Sequence, residues 1–297
     1  MNQTGLSLLE LLITITLGLF ITLGLSSFLL ASKTIYVTHM ENALMHDTAA
    51  TAFHTIAHAI RQTDYIPWDT TSLNLDIMSE LSPGITGLDE KSLSATSEDI
   101  RFPVHSTAHS SDILALRFYG SSQPTSTSAR TSAAHIADNT IQNCAGFGIA
   151  APENTQTERA WSIYYVATGA TGEPELFCKY QGKKGWRATA IARGIASFQV
   201  RYGFNHTSTD FMSASQLHAL DAALPLTGST PSARTIELHQ KSHWKKVTSV
   251  QISILLRSAK IAGSHATSLN KALLQRTHGE RLQRVFSIII QRQNFAY

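Results

Sequence analysis

Cysteine, proline and charge are all scarce in this chain. Its 297 residues include two cysteines and eight prolines, and 15% of them are charged. Two cysteines exclude a disulfide-dense miniature scaffold and a zinc site held by four thiolates. Lys and Arg are missing altogether from the first 32 residues. A secretory signal peptide needs a basic stretch ahead of a 7–15-residue apolar core, so that reading fails here. Proline is missing from residues 6–66, where the first break is Pro67. Gly-x-Ser-x-Gly elbows and phosphate-binding loops are missing too, which removes two common routes to catalysis.

What is present begins with one apolar run. Leu11–Ser32 holds 22 residues without a charge, and about 20 apolar residues cross a bilayer as a helix. Its Ser and Thr hydroxyls can return hydrogen bonds to helix carbonyls and do not prevent spanning. Beyond it Val37, Met40, Leu44, Ala49, Phe53, Ile56 and Ile60 recur at 3–4 spacing, an amphipathic stripe. We expect one helix from Leu6 to Gln62, lipid-facing over 6–32 and packed by one face over 33–63. Residues 64–297 then form a globular domain.

Between Leu6 and Ser32 the sole ionisable side chain is Glu10. A charge at the centre of a spanning helix costs about 2.5–3.5 kcal/mol on insertion scales, so this carboxylate needs a reason.

Short strand patterns follow: Asp112–Tyr119, Trp161–Ala167, Glu175–Tyr180, Ile195–Phe204, Val250–Leu256 and Val285–Gln291. Residues 64–111 read as a long surface connection with short elements of its own, and 121–140, 205–235 and 259–280 as loops or insertions. The fold class expected is α+β, a long N-terminal helix packed on an antiparallel sheet.

Charge is divided unevenly. Residues 1–174 hold 7 Lys/Arg against 16 Asp/Glu, and residues 175–297 hold 17 against 5. Such halves either pair within one fold or present opposite faces to partners. The basic stretch Lys179–Arg187 reads better as a solvated hairpin than as a nucleic-acid groove. His54/His58 and His239/His243 have one-turn spacing but no third metal ligand. Gly146–Ala151 resembles a dinucleotide loop but belongs to no βαβ unit, so a turn is the better reading. No metal, cofactor or catalytic residue is expected. Cys144 and Cys178 are either one disulfide, closing a loop worth about 3–4 kcal/mol in the chain-entropy model, or two buried thiols. A membrane-anchored chain with its domain on the oxidising side favours the disulfide.

Gly5-Leu6-Ser7-Leu8-Leu9-Glu10 ahead of an apolar helix resembles the class III signal of type IV pilins and type II secretion pseudopilins. The blocks 112–118, 143–146, 172–178, 194–203, 244–258 and 281–294 resemble those of PilW-type minor pilins. The resemblance implies a leader, residues 1–5, cut between Gly5 and Leu6 by a prepilin peptidase, with methylation of the new terminus. It implies pairing of Glu10 with a Leu6 amine, its own or a neighbouring subunit's. It also implies an inner-membrane anchor with a periplasmic domain, later a pilus-tip position. The partners implied are a major pilin, minor pilins of the PilV and PilX kind, and a tip adhesin. The leader lacks the usual Lys or Arg, and Ser27 stands where many major pilins have proline. A J-type pseudopilin is the alternative within the superfamily. A membrane-anchored periplasmic enzyme or ligand-binding domain is the alternative outside it.

Overall fold

The computed structural model describes residues 8–65, 81–105, 111–122, 136–151, 159–182, 184–204, 210–258 and 283–294. The chain divides into two units, Met1–Asp47 and Thr48–Tyr297. Helix α1 covers Leu8–Gln62, with no proline to interrupt its hydrogen bonds.

In the first unit, α1 exposes its apolar side chains. Leu8, Phe20, Phe28 and Leu29 are each about two-thirds exposed or more, at 78%, 74%, 68% and 66%. Its hydroxyls turn inward: Thr14, Thr16 and Thr22 donate to the carbonyls of Leu11, Ile13 and Leu19, and Ser26, Ser27 and Thr34 to those of Thr22, Leu23 and Leu30. Each hydroxyl is thereby satisfied without water, the condition for polar atoms in hydrocarbon. Among the described residues this is the helix long and apolar enough to cross a membrane.

In the second unit, the last part of α1 buries Ala49, Ala52, Ile56, Ala59 and Ile60. Strands β1 (Ile85–Leu88), β4 (Ile113–Phe118), β5 (Ala160–Thr168), β6 (Pro174–Gly182) and β7 (Gly185–Arg193) form a sheet in the order β1-β4-β5-β6-β7. Strands β8 (Ile195–Gly203), β9 (Phe211–Met212), β10 (Ser249–Arg257) and β11 (Gln283–Gln291) form a second, ordered β11-β10-β8-β9. A two-stranded ribbon pairs β2 (Lys91–Ser92) with β3 (Val104–His105). All registered pairings are antiparallel, so the architecture is α+β.

Period-two alternation sets the faces. On the first sheet Leu114, Tyr164 and Cys178 share one row and Ala115, Ile163 and Lys179 the next. The Tyr164 hydroxyl donates to the Thr55 carbonyl of α1 at 3.2 Å, which puts that face against the helix. On the opposite face Leu93, Ile113, Ala115, Ile163 and Tyr165 make a second core with Trp161, Phe177 and Trp186.

Two expectations are corrected. In place of the one sheet expected, two larger sheets and a ribbon are present. The hairpin expected over Lys179–Arg187 is there: β6 and β7 pair up to Gly182 with Gly185, and β7 runs on to Arg193, where its Ala-rich alternation is too weakly apolar to stand out in the sequence. The short strands β1, β2 and β3 lie inside the connection 64–111. Two helices, α2 (Ala214–Ala222) and α3 (Pro231–Lys241), lie within or across the end of the presumed loop 205–235. Their signals are local. Ser213 and Gln216 form a capping box on α2, and Thr230 caps α3 with Pro231 at its first position.

Candidate functional site

The residues expected to matter fall into an anchor and a stapled domain. Gly5 and Leu6 lie outside the described residues. Glu10 stands in the first turn of α1, where a carboxylate is favoured by the helix dipole.

Cys144 and Cys178 are joined by a disulfide with Cα atoms 5.8 Å apart. Cys178 is on β6 and Cys144 on the loop after residue 136. The bond fastens that loop to the helix-facing row of the first sheet. The Ser162 hydroxyl accepts from the Cys144 amide at 3.0 Å. Asn143 orders the turn beside it by accepting from the amides of Ala145 and Phe147 at 3.0 and 3.1 Å. Gly146 sits in this turn at φ +81°, a conformation suited to glycine. The dinucleotide-like Gly146–Ala151 is therefore a turn carried by the disulfide.

An acidic residue of the first half meets a basic residue of the second at the end of α1. Asp64 follows the end of α1 in the left-handed region, φ 57°. Its carboxylate faces Arg159 at 3.4 Å and Arg292. Burial lowers both guanidinium pKa values, and the Asp64 charge opposes that effect. Arg292 also donates from Nη1 to the Val247 carbonyl at 2.7 Å. Asn294 donates to the carbonyls of Arg61 and Thr63 at 2.9 and 3.3 Å, satisfying acceptors that the helix end leaves open. The segment after β11 thus caps α1. Sequence reasoning missed this contact, because no spacing rule links residues 228 positions apart.

Asp112 joins the two sheets. Its backbone amide donates to the Phe198 carbonyl at 2.8 Å. Its carboxylate accepts from the amides of Glu90 and Val200 at 3.0 and 2.9 Å. Burial pushes this carboxyl up to about 6, and nearby Asp89 and Glu90 push the same way.

Lys179 corrects the reading of the basic stretch. It is fully buried and donates to the Ser97 hydroxyl and the Asp99 carbonyl at 2.7 and 2.9 Å. Burial pushes its ammonium down to about 8. His54 and His58 lie exposed on α1. His243 opens a 3-10 helix (His243–Lys246) after α3 has ended, and its Nδ1 lies 2.9 Å from Asp221. His239 and His243 therefore do not share a helical turn. Among the described residues no three His, Cys, Asp or Glu side chains gather as a metal site.

Residues 163–294 match the family model for type IV pilus-assembly protein W, PilW. The match runs from β5 to the residue that caps α1, so this part of the chain is PilW-like. Among solved structures, a type IV-like pilin from Thermus thermophilus, TTHA1219, aligns with 84% of this chain and 96% of its own at 12% identity and a TM-score of 0.33. No curated protein matches the chain. The likeness to a pilus-assembly family rests on those residues, less than half of the chain.

Proposed function

We propose that this protein is a PilW-type minor pilin that primes type IV pilus assembly and sits at the filament tip. The observation that carries the reading is the PilW match over residues 163–294, on a domain that follows an exposed apolar helix. Residues 1–5 are the leader, removed between Gly5 and Leu6 by prepilin peptidase, and the new Leu6 amine is methylated. Residues 6–32 anchor the protein in the inner membrane and later join the filament core. Residues 33–63 are the amphipathic half of the helix, and residues 64–297 are the periplasmic domain. The partners are a major pilin, PilV- and PilX-like minor pilins, and a tip adhesin. The protein is not an enzyme.

Glu10 supplies the assembly charge. Paired with a Leu6 amine it costs far less in hydrocarbon than either ion alone, so subunits dock in one register. Replacing Glu10→Ala removes that partner while making the anchor more apolar. The test compares surface pili and membrane-level protein in wild-type, deletion and Glu10→Ala strains. The expected result is normal membrane protein with few or no pili, and mass spectrometry of the wild type showing loss of residues 1–5 and one methyl. Normal piliation in the deletion strain, with a secretion defect instead, favours the J-type pseudopilin.

A further inference from the structure

One tight turn, residues 87–90 between β1 and β2, reaches several other elements. The Gly87 carbonyl lies 2.9 Å from Nε2 of His218 on α2, so that nitrogen carries a proton and donates it. The Asp89 carboxylate accepts from the first amides of α2, those of Ala214 and Ser215, at 3.0 and 2.7 Å. The Glu90 amide donates at 3.0 Å to Asp112, just before β4, whose other oxygen accepts from Val200 of β8 at 2.9 Å. Gly87 itself lies under the Tyr202 hydroxyl of β8, where a Cβ would collide.

Charge on the turn has one sign. Asp89, Glu90 and Asp112 bring three carboxylates together, and among the described residues none of them forms an ion pair. Lys91, the next residue along β2, pairs with none of them. Tyr202, facing Asp112 from β8, is a phenol that burial holds far above its usual range. Its hydroxyl is buried without a hydrogen-bond partner among the described residues. From α2, His218 spends its Nε2 proton on Gly87.

The turn is also the part most easily moved. Val200 sits in β8, which is paired on both sides, whereas β1 is a four-residue strand at the edge of its sheet. Glu90 stands in the left-handed region at φ 55°, a conformation that persists only while the surroundings impose it. Burial pushes the Asp112 carboxyl up to about 6, and Asp89 and Glu90 push the same way. An aspartate open to water titrates at about 3.9. Ionisation therefore favours an arrangement that gives this carboxylate water.

We propose that the β1–β2 turn is a proton-operated joint between the two sheets. With Asp112 protonated, the turn stays closed on α2 and β8. With Asp112 ionised, it opens and releases the first turn of α2 and the Tyr202 contact. This does not depend on the pilus reading.

The test is residue-resolved amide hydrogen exchange of the full chain in detergent micelles, corrected for intrinsic rates. A carbon-13 titration of the Asp112 carboxyl accompanies it. The amides of Glu90, Ala214 and Ser215 should be at least tenfold less protected than those of Ile163 and Tyr165 in β5. Their protection should fall about tenfold from pH 5 to pH 7.5, in step with the carboxyl titration. Asp112→Asn, neutral throughout, should remove that pH dependence, and the wild-type comparison decides the matter even where this variant fails to fold. Equal protection of the turn and β5 would mean that the domain opens only as a whole. Protection of the turn that ignores pH would mean that the carboxyl does not operate it. Either result overturns the proposal.

Discussion

The two large sheets of the second unit solve the problem of apolar burial differently. The first is covered on both faces. Thr48–Gln62 lies on one side and Leu93, Trp161 and Trp186 on the other, with the disulfide and buried Lys179 fastening loops down. The second buries one face, with Phe198, Val200, Val250, Ile252 and Ile254 inside. It leaves Gln199 and Arg201 outward. The first sheet is held down by a cross-link and a buried cation, the second by its strand ladders and by the contact of Asp64 with Arg292. The contrast predicts different responses when each sheet's fastenings are removed.

The largest effect belongs to Asp64→Ala. Two buried guanidiniums would face a lost carboxylate, and removing one side of a buried ion pair costs about 3–5 kcal/mol. Urea denaturation should show that loss. Hydrogen exchange should rise first at residues 247–257 and 283–291, leaving β5 and β6 protected. Uniform exposure of both sheets would erase the distinction between them.

Replacing Cys144→Ser and Cys178→Ser together is the converse experiment. Loss of a cross-link with sequence separation 34 should cost about 2–4 kcal/mol. Exchange should rise at residues 136–151 and along β6, with β10 and β11 unchanged. Thermal denaturation with and without reductant gives the same comparison in the unmodified protein.

Asp112 touches both sheets, so its effect should be shared. In the unfolded chain an aspartate titrates at about 3.9, whereas burial holds Asp112 at about 6. Between those values the folded protein binds a proton that the unfolded chain does not. Stability from this group is therefore greatest below the lower value and is lost as pH rises through the upper one. Asp112→Asn should flatten the stability slope between those pH values. An unchanged slope would show that another group governs it.

The smallest effect is expected at Glu237, which pairs with Lys241 one turn on at 2.7 Å. Lys241 is half-exposed, so solvent screens the pair and its contribution is small. Glu237→Gln should change the melting temperature little and the exchange of either sheet not at all.

How far these regions were legible depended on the range of their signals. The apolar period of α1 and the alternation of β4, β5, β8, β10 and β11 read directly, because burial imposes the pattern on each segment separately. The disulfide was legible from two cysteines and a membrane anchor. β7 was not, since small residues on a half-buried edge carry little hydrophobic contrast. The two helices were missed although Ser213–Gln216 and Thr230–Pro231 marked their starts, because weakly apolar helix faces gave no periodicity to confirm the caps. Asp64 with Arg292, and Asp112 with Val200, are tertiary facts that local sequence does not encode. For β11, composition was visible as Val285–Gln291, but its position at the border of a sheet was not.

The cap on α1 has a consequence for the order in which the chain can fold. Helix α1 precedes the strands in the chain, yet its end is completed by Arg292 and Asn294. Contacts of such separation form slowly, because the loop between them must close first. The end of α1 therefore waits for its cap on the far end of the chain. A protein truncated before Arg292 would leave the Asp64 carboxylate and the Arg61 and Thr63 carbonyls without these partners.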